Sequence, residues 1–195
     1  MALRKLQTYL SVEDYLAGEG ESPVRHEYVD GQVYAMAGAS DRHNRIAGNV
    51  FARLSDHLAE GPCEPFISDM KIRVSSRLFY YPDVVVTCEP GGDHYTKTQP
   101  VLIVEVLSPS TERIDRYEKL LAYRQVPSVQ EYVLIAQARM LVEIHRRRSD
   151  GEWEHDILTE PEDELALKSV GLSLSLAQVY RRVRFDDEES PATLI

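Results

Sequence analysis

Two carboxylates lie inside apolar runs: Asp83 in Tyr81-Pro82-Asp83-Val84-Val85-Val86, and Glu105 in Val101-Leu102-Ile103-Val104-Glu105-Val106-Leu107. Burying an unpaired carboxylate is costly, so such a residue is expected to have a cationic partner or a metal ion beside it. Two of them on successive core strands point to a hard divalent cation, because Mg²⁺ and its relatives prefer carboxylate and carbonyl oxygens. The Val106 carbonyl offers a further oxygen at the same strand end. Lys119 supplies a third element, a cation able to orient water or balance charge on a phosphate in transfer. His43 and Glu27 are further candidates, as water-orienting or metal-side groups.

Each of these residues also has a purely structural reading. Asp83 follows Pro82 at a strand start, where it would bond backbone amides as a turn residue. Glu105 would be half of a buried ion pair with Arg73 or Arg116. On a helical wheel, Ile114, Tyr117, Leu120 and Leu121 form the apolar face. Lys119 then lies opposite with Glu112, Asp115 and Tyr123, as a solvated partner of Asp115 at i,i+4. His43 would face solvent beside Arg42 and Arg45, and Glu27 would be an exposed strand residue. The basic run Arg146-Arg147-Arg148 would be either a nucleic-acid contact or a solvated strand end.

The elements that must position these groups follow from periodicity and turn chemistry. Ser11 caps a short first helix with Asp14 at its third position. Arg25 to Val29 and Gln32 to Ala37 flank Asp30-Gly31, a strong signal for a two-residue hairpin turn. Residues 41–60 read as a helix, with Ile46, Val50, Leu54 and Leu58 recurring on one face and Gly61-Pro62 ending it. One or two strands are expected between Cys63 and Val74. Residues 79–88 and 101–107 read as core strands separated by a polar loop. A helix capped by Ser110 or Thr111 should run to about Arg124, where Pro127 closes it. A third apolar strand at 130–136, an antiparallel pair at 140–147 and 153–159, and a final helix at 173–183 complete the reading. This order predicts an α/β fold with a mixed central β-sheet flanked by helices and an N-terminal β-hairpin.

Composition limits the classes. The chain has 195 residues, 43% hydrophobic and 28% charged, which suits one ordered domain over 1–185. Its net charge of −10 counts against broad electrostatic capture of nucleic acid. Much of that charge lies in Glu160, Glu162, Asp163 and Glu164 and in Asp186 to Glu189, so the remaining body is close to neutral; residues 186–195 read as an acidic, flexible tail. No apolar stretch approaches bilayer length, and the N-terminus lacks the features of a signal peptide. A cytoplasmic location follows, with Cys63 and Cys88 as reduced, half-buried thiols. No Gly-rich phosphate loop is present, which disfavours a hydrolase of small phosphorylated substrates.

Taken in order, Arg25-His26-Glu27-Tyr28-Val29-Asp30-Gly31, His43, Tyr81-Pro82-Asp83-Val84-Val85-Val86, Val104-Glu105-Val106-Leu107-Ser108-Pro109-Ser110-Thr111, Glu118-Lys119-Leu120 with Tyr123, and Val126-Pro127-Ser128-Val129-Gln130-Glu131-Tyr132 resemble the bacterial Uma family of "putative restriction endonucleases". That family is placed in the PD-(D/E)xK nuclease superfamily, so the resemblance implies a restriction-endonuclease-like core and Mg²⁺-dependent cleavage of DNA, with Mn²⁺ as a substitute. It implies Asp83, Glu105 and the Val106 carbonyl as metal ligands, and Glu27 as the acidic residue from the N-terminal part of the site. The lysine expected two residues after the glutamate is Leu107 here, and the matching candidate is Lys119 on the following helix. A homodimer suits cleavage of two strands. The rival is a catalytically weak or inactive nuclease-fold module used for binding or assembly.

Overall fold

The computed structural model describes residues 9–89 and 91–185. The first helix, α1 (Val12–Glu21), is capped by Ser11, whose Oγ accepts from the Asp14 N–H. Strands β1 (His26–Val29) and β2 (Gln32–Ala35) form the expected hairpin. Asp30 and Gly31 have φ of 49° and 93°, as a tight turn between right-twisted strands requires. Helix α2 (Asp41–Leu58) buries Ile46, Ala47, Val50, Leu54 and Leu58. Next come β3 (Glu64–Ile67), β4 (Lys71–Ser75), β5 (Leu78–Tyr80), β6 (Val84–Thr87), the short β7 (Thr96–Lys97) and β8 (Pro100–Leu107). A helical segment, π-helical over Ile114–Lys119, continues as α3 (Leu120–Arg124). After it lie β9 (Glu131–Ala136), β10 (Val142–Arg147), β11 (Trp153–Leu158), β12 (Glu164–Leu167), β13 (Leu172–Ser175) and α4 (Leu176–Val179).

The central sheet has the order β11-β10-β9-β8-β6-β3, and a second sheet the order β2-β1-β5-β4-β7. Within the central sheet β8 and β9 are parallel and the other neighbours antiparallel. Parallel neighbours need a crossover, and the helical segment 112–124 provides it. The strand alternation of β8 explains its continuous apolar run. Leu102, Val104 and Val106 pack with α2 on one face, while Ile103 and Leu107 pack with Tyr123, Tyr132 and Leu134 on the other. Glu105 belongs to this second face and is buried.

Four expectations are corrected. Residues 79–88 are not one strand: β5 belongs to the second sheet and β6 to the central one. Pro82 has no N–H to continue a ladder, and the chain changes sheets at Tyr81-Pro82-Asp83. The final helix at 173–183 shrinks to α4, because Leu172 to Ser175 pair with β12 as β13. The helical segment after β8 begins at Glu112, and the turn leading into it is closed by Ser108, whose carbonyl and Oγ accept from the Glu112 and Thr111 N–H groups, rather than by a side-chain cap from Ser110 or Thr111. Cys63 and Cys88 are not free thiols but a disulfide; they lie one step beyond the Glu64↔Thr87 pair of β3 and β6, a register that sets them opposite each other. The tail at 186–195 lies outside the described residues. Among those described, no helix is long and apolar enough to cross a membrane.

Candidate active site

The sheet change at Tyr81-Pro82-Asp83 creates the site. Val84 pairs with Val104, so the register carries Asp83 to Glu105. Asp83 stands just outside β6, its carbonyl accepting the Ser68 N–H at 2.9 Å and its Oδ2 the Val106 N–H at 2.7 Å. The segment is held from the N-terminal side as well. The Tyr81 hydroxyl donates to buried Glu19 at 2.9 Å, and the Tyr81 N–H donates to Glu27 Oε1 at 3.4 Å. Helix α2 begins beside it, because Ser40 Oγ caps the His43 N–H. That places His43 in the first turn with Nε2 3.3 Å from Asp83 Oδ2. Burial would lower the imidazole pKa, but Asp83, Asp115 and the Val106 backbone together raise it above the ordinary value.

Lys119 is the centre of the other half. Its Nζ lies 2.9 Å from Glu27 Oε1, 3.0 Å from Glu105 Oε1 and 3.2 Å from Asp115 Oδ1. The Tyr123 hydroxyl donates to the same Glu105 oxygen at 3.4 Å, and Lys119 lies 5.3 Å from the centroid of the Tyr80 ring. The solvated wheel position expected for Lys119 is therefore wrong. Asp115, Lys119 and Tyr123 form the buried stripe, while Tyr117 and Leu121, assigned to the apolar face, are 64% and 62% exposed. A wheel drawn at the α period loses register across the π-helical turn, and π-turns concentrate at functional sites.

The charges decide what the cluster can do. Burial alone would push the Lys119 ammonium down, but Glu105, Glu27 and Asp115 outweigh it and hold its pKa well above the lysine value. Burial raises Glu105 well above the usual carboxylate range; Lys119 opposes this, while Asp115, Asp83 and Glu27 add to it. One ammonium thus faces three carboxylates, an excess of negative charge. Such a site favours a cation. Among the described residues, the hydrogen bonds and ion pairs of Asp83 fall on Oδ2 and those of Glu105 on Oε1. Asp83 Oδ1 and Glu105 Oε2 remain as oxygen donors, and with the Val106 carbonyl they are ligand types that fit a small hard ion.

The structure thus brings Asp83, Val106 and His43 together, and Glu27, Glu105 and Lys119 together, with Asp83 and Glu105 joining the two groups across β6 and β8. Asp115, which pairs with Lys119, and Tyr123, which donates to buried Glu105, are additions. Their signal was present in the four-residue spacing Asp115, Lys119, Tyr123 directly after a buried strand. Neither Arg73 nor Arg116 pairs with Glu105: Arg73 Nε donates to the Ser75 carbonyl, and Arg116 pairs with Glu112 and Glu143. The arginine run is structural over its first two residues. Arg146 is buried against Glu131 and Asp156, and Arg147 donates to the carbonyls of Val129, Arg124 and Val126. Arg148 pairs with Asp150.

Residues 12–177 match the model of the Uma2 family, described as "Putative restriction endonuclease", and the chain belongs to that family. Two uncharacterized proteins of Synechocystis sp. (strain ATCC 27184 / PCC 6803 / Kazusa) are similar to it. One is 41% identical over 180 residues, covering 90% of this chain and 94% of its own. The other is 35% identical over 156 residues, covering 77% and 86%. A crystal structure from Anabaena variabilis ATCC 29413, described as "a putative nuclease belonging to DUF820", superposes with a TM-score of 0.71 at 17% identity. It covers 88% of this chain and 97% of that one. The fold is nuclease-like.

Proposed function

We propose that this protein is a Mg²⁺-dependent endonuclease that hydrolyses phosphodiester bonds in DNA, with Mn²⁺ able to substitute. In this reading residues 1–185 form one restriction-endonuclease-like domain that works in the cytoplasm as a homodimer. The observation that carries it is the reach of Lys119 from the crossover helix to Glu105, which restores the lysine missing at Leu107. Asp83, Glu105 and the Val106 carbonyl hold the ion. When bound, it polarises the phosphate and lowers the pKa of a water.

The chain's own groups divide the remaining work. Lys119 has three ammonium protons and three carboxylate partners, and its raised pKa keeps it charged. It is therefore a positioning residue that fixes Glu27 and Glu105, not the base. His43, held with Nε2 3.3 Å from Asp83 Oδ2, is the group that orients water beside the ion. In the reaction the water oxygen bonds to phosphorus as the ester P–O bond breaks; the attacking water gives up a proton to solvent and the departing oxygen takes one from solvent. Arg42, Arg45, Arg182 and Arg184, with Asp41 and Val183, line a cavity of about 630 Å³ at the start of α2. Guanidinium groups and a helix N-terminus suit the phosphates of a bound strand.

The test is cleavage of plasmid, linear duplex and single-stranded DNA with Mg²⁺ or Mn²⁺, by wild type and by Asp83→Asn and Glu105→Gln. Cleavage by wild type that both variants lose supports the assignment; cleavage retained in both variants removes it. One observation favours the non-catalytic module instead: Lys119 already balances Glu27, Glu105 and Asp115 in part. Calorimetry separates the two readings, since the module takes up neither Mg²⁺ nor Mn²⁺.

A further inference from the structure

A second group of metal-ligating side chains lies on the Glu105 face of the central sheet, further out on β10 and β11. Glu143 and His145 are two residues apart on β10 and project to the same side. His155 is directly opposite His145 in the β10–β11 register, and opposed residues share a face. A two-residue spacing on one strand plus an opposed residue on the next brings three side chains to one point. One ligand atom from each of Glu143, His145 and His155 lies within 4.8 Å of the others. The two imidazoles stack with centroids 4.5 Å apart.

His145 distinguishes this cluster from an ordinary polar patch. It is 7% exposed, and its Nδ1 is buried without a hydrogen-bond partner. Leaving a buried polar group unpaired is costly. Burial, with His155, Arg124 and Arg116 nearby, pushes the imidazole pKa down to about 4; the ring is neutral at physiological pH and its lone pair is available. Glu143 is bound by Arg116 through Oε1, while Oε2 faces His155 Nε2 at 3.8 Å. A carboxylate fixed through one oxygen by an outer partner is a common arrangement around metals. Of the nearby guanidinium groups, Arg116 pairs with Glu112 and with Glu143 itself, and Arg124 lies over the Trp153 ring. The His155 side chain is 41% exposed, which gives an ion a route in from solvent.

We infer that Glu143, His145 and His155 bind a borderline divalent transition-metal ion, Zn²⁺ foremost, at a site separate from Asp83 and Glu105. Two imidazoles favour such an ion over Mg²⁺, and three protein ligands leave a fourth position for water. The ion ties β10 to β11 and, through Glu143 and Arg116, reaches the helical segment that carries Lys119.

The full-length protein, stripped by chelator dialysis, is titrated with Zn²⁺ by calorimetry. Trp153, the chain's one tryptophan, lies two residues from His155 on the same face, so quenching of its fluorescence by Cu²⁺ or Ni²⁺ gives a second readout. One equivalent of saturable binding is expected. His155→Ala and Glu143→Gln, each verified as folded by thermal melting, should weaken it by more than the roughly 10–100-fold that loss of an outer partner costs. The Asp83→Asn/Glu105→Gln variant should bind Zn²⁺ as wild type does, so failure here and failure of the nuclease reading are told apart. Absence of saturable binding in wild type, or unchanged affinity in folded His155→Ala, overturns the inference.

Discussion

Replacing Lys119 with Met tests the account of the buried cluster most severely. Met keeps the length and apolar stem of the side chain but removes the charge that faces Glu27, Glu105 and Asp115 at 2.9, 3.0 and 3.2 Å. Removing one partner of a buried ion pair costs about 3–5 kcal/mol, because the other charge is left uncompensated. With three carboxylates affected, the upper part of that range applies, a large share of the roughly 5–15 kcal/mol that holds a domain folded. The loss should depend on pH. Without Lys119 the folded-state pKa of Glu105 rises further, so the folded state binds more protons than the unfolded one, and stability falls as pH rises through that interval. Each extra proton recovers about 1.4 kcal/mol per pH unit on acidification, or roughly 3 kcal/mol over two units. Urea unfolding of both proteins between about pH 5 and pH 8 measures this directly. A difference below about 1 kcal/mol, the size of an exposed pair, or one that does not change with pH, would refute a buried cluster with surplus negative charge. Mn²⁺ should narrow the gap at high pH by supplying the missing positive charge.

Other expectations follow from the same geometry. Glu105→Gln removes surplus negative charge while keeping size, so thermal stability should hold or rise even as metal-dependent cleavage is lost; a lower melting temperature contradicts the charge argument. Binding of Mg²⁺ or Mn²⁺ at Asp83 and Glu105 should weaken as pH falls, because burial raises the Glu105 pKa well above the usual carboxylate range and only the carboxylate form ligates; an affinity independent of pH, read by calorimetry, argues against that shift. Arg147→Ala should lower stability by about 1–3 kcal/mol, through the carbonyls of Val129, Arg124 and Val126 left unpaired, without altering the salt dependence of DNA binding. Arg45→Ala and Arg184→Ala, at the cavity by the start of α2, should instead reduce that salt slope, by nearly one unit for each phosphate no longer neutralised; an unchanged slope removes the cavity from the DNA path.

Much of this protein was legible in its sequence because the relevant forces are local. Period-2 alternation and apolar runs mark β8 and β9, Asp30-Gly31 marks a turn, and four-residue recurrence marks α2, since each reflects backbone geometry within a few residues. The two carboxylates in apolar runs were conspicuous for the same reason: desolvation is severe wherever the strand lies. Other features depended on residues distant in the chain. Pro82 signals a break in a ladder, but not that β5 and β6 lie in different sheets. The wheel through Ile114 to Leu121 followed hydrophobicity, yet the buried stripe is Asp115, Lys119 and Tyr123, because their polar ends are satisfied by Glu27 and Glu105 from other elements. Likewise the Arg146-Arg147-Arg148 run reads as surface until Glu131 and three backbone carbonyls claim its first two members. The sequence by itself determined which groups must be paired, since the cost of burying an unpaired charge follows from residue type and local burial. Only the tertiary structure decided which groups pair, because that depends on strand register and crossover packing between residues far apart in the chain.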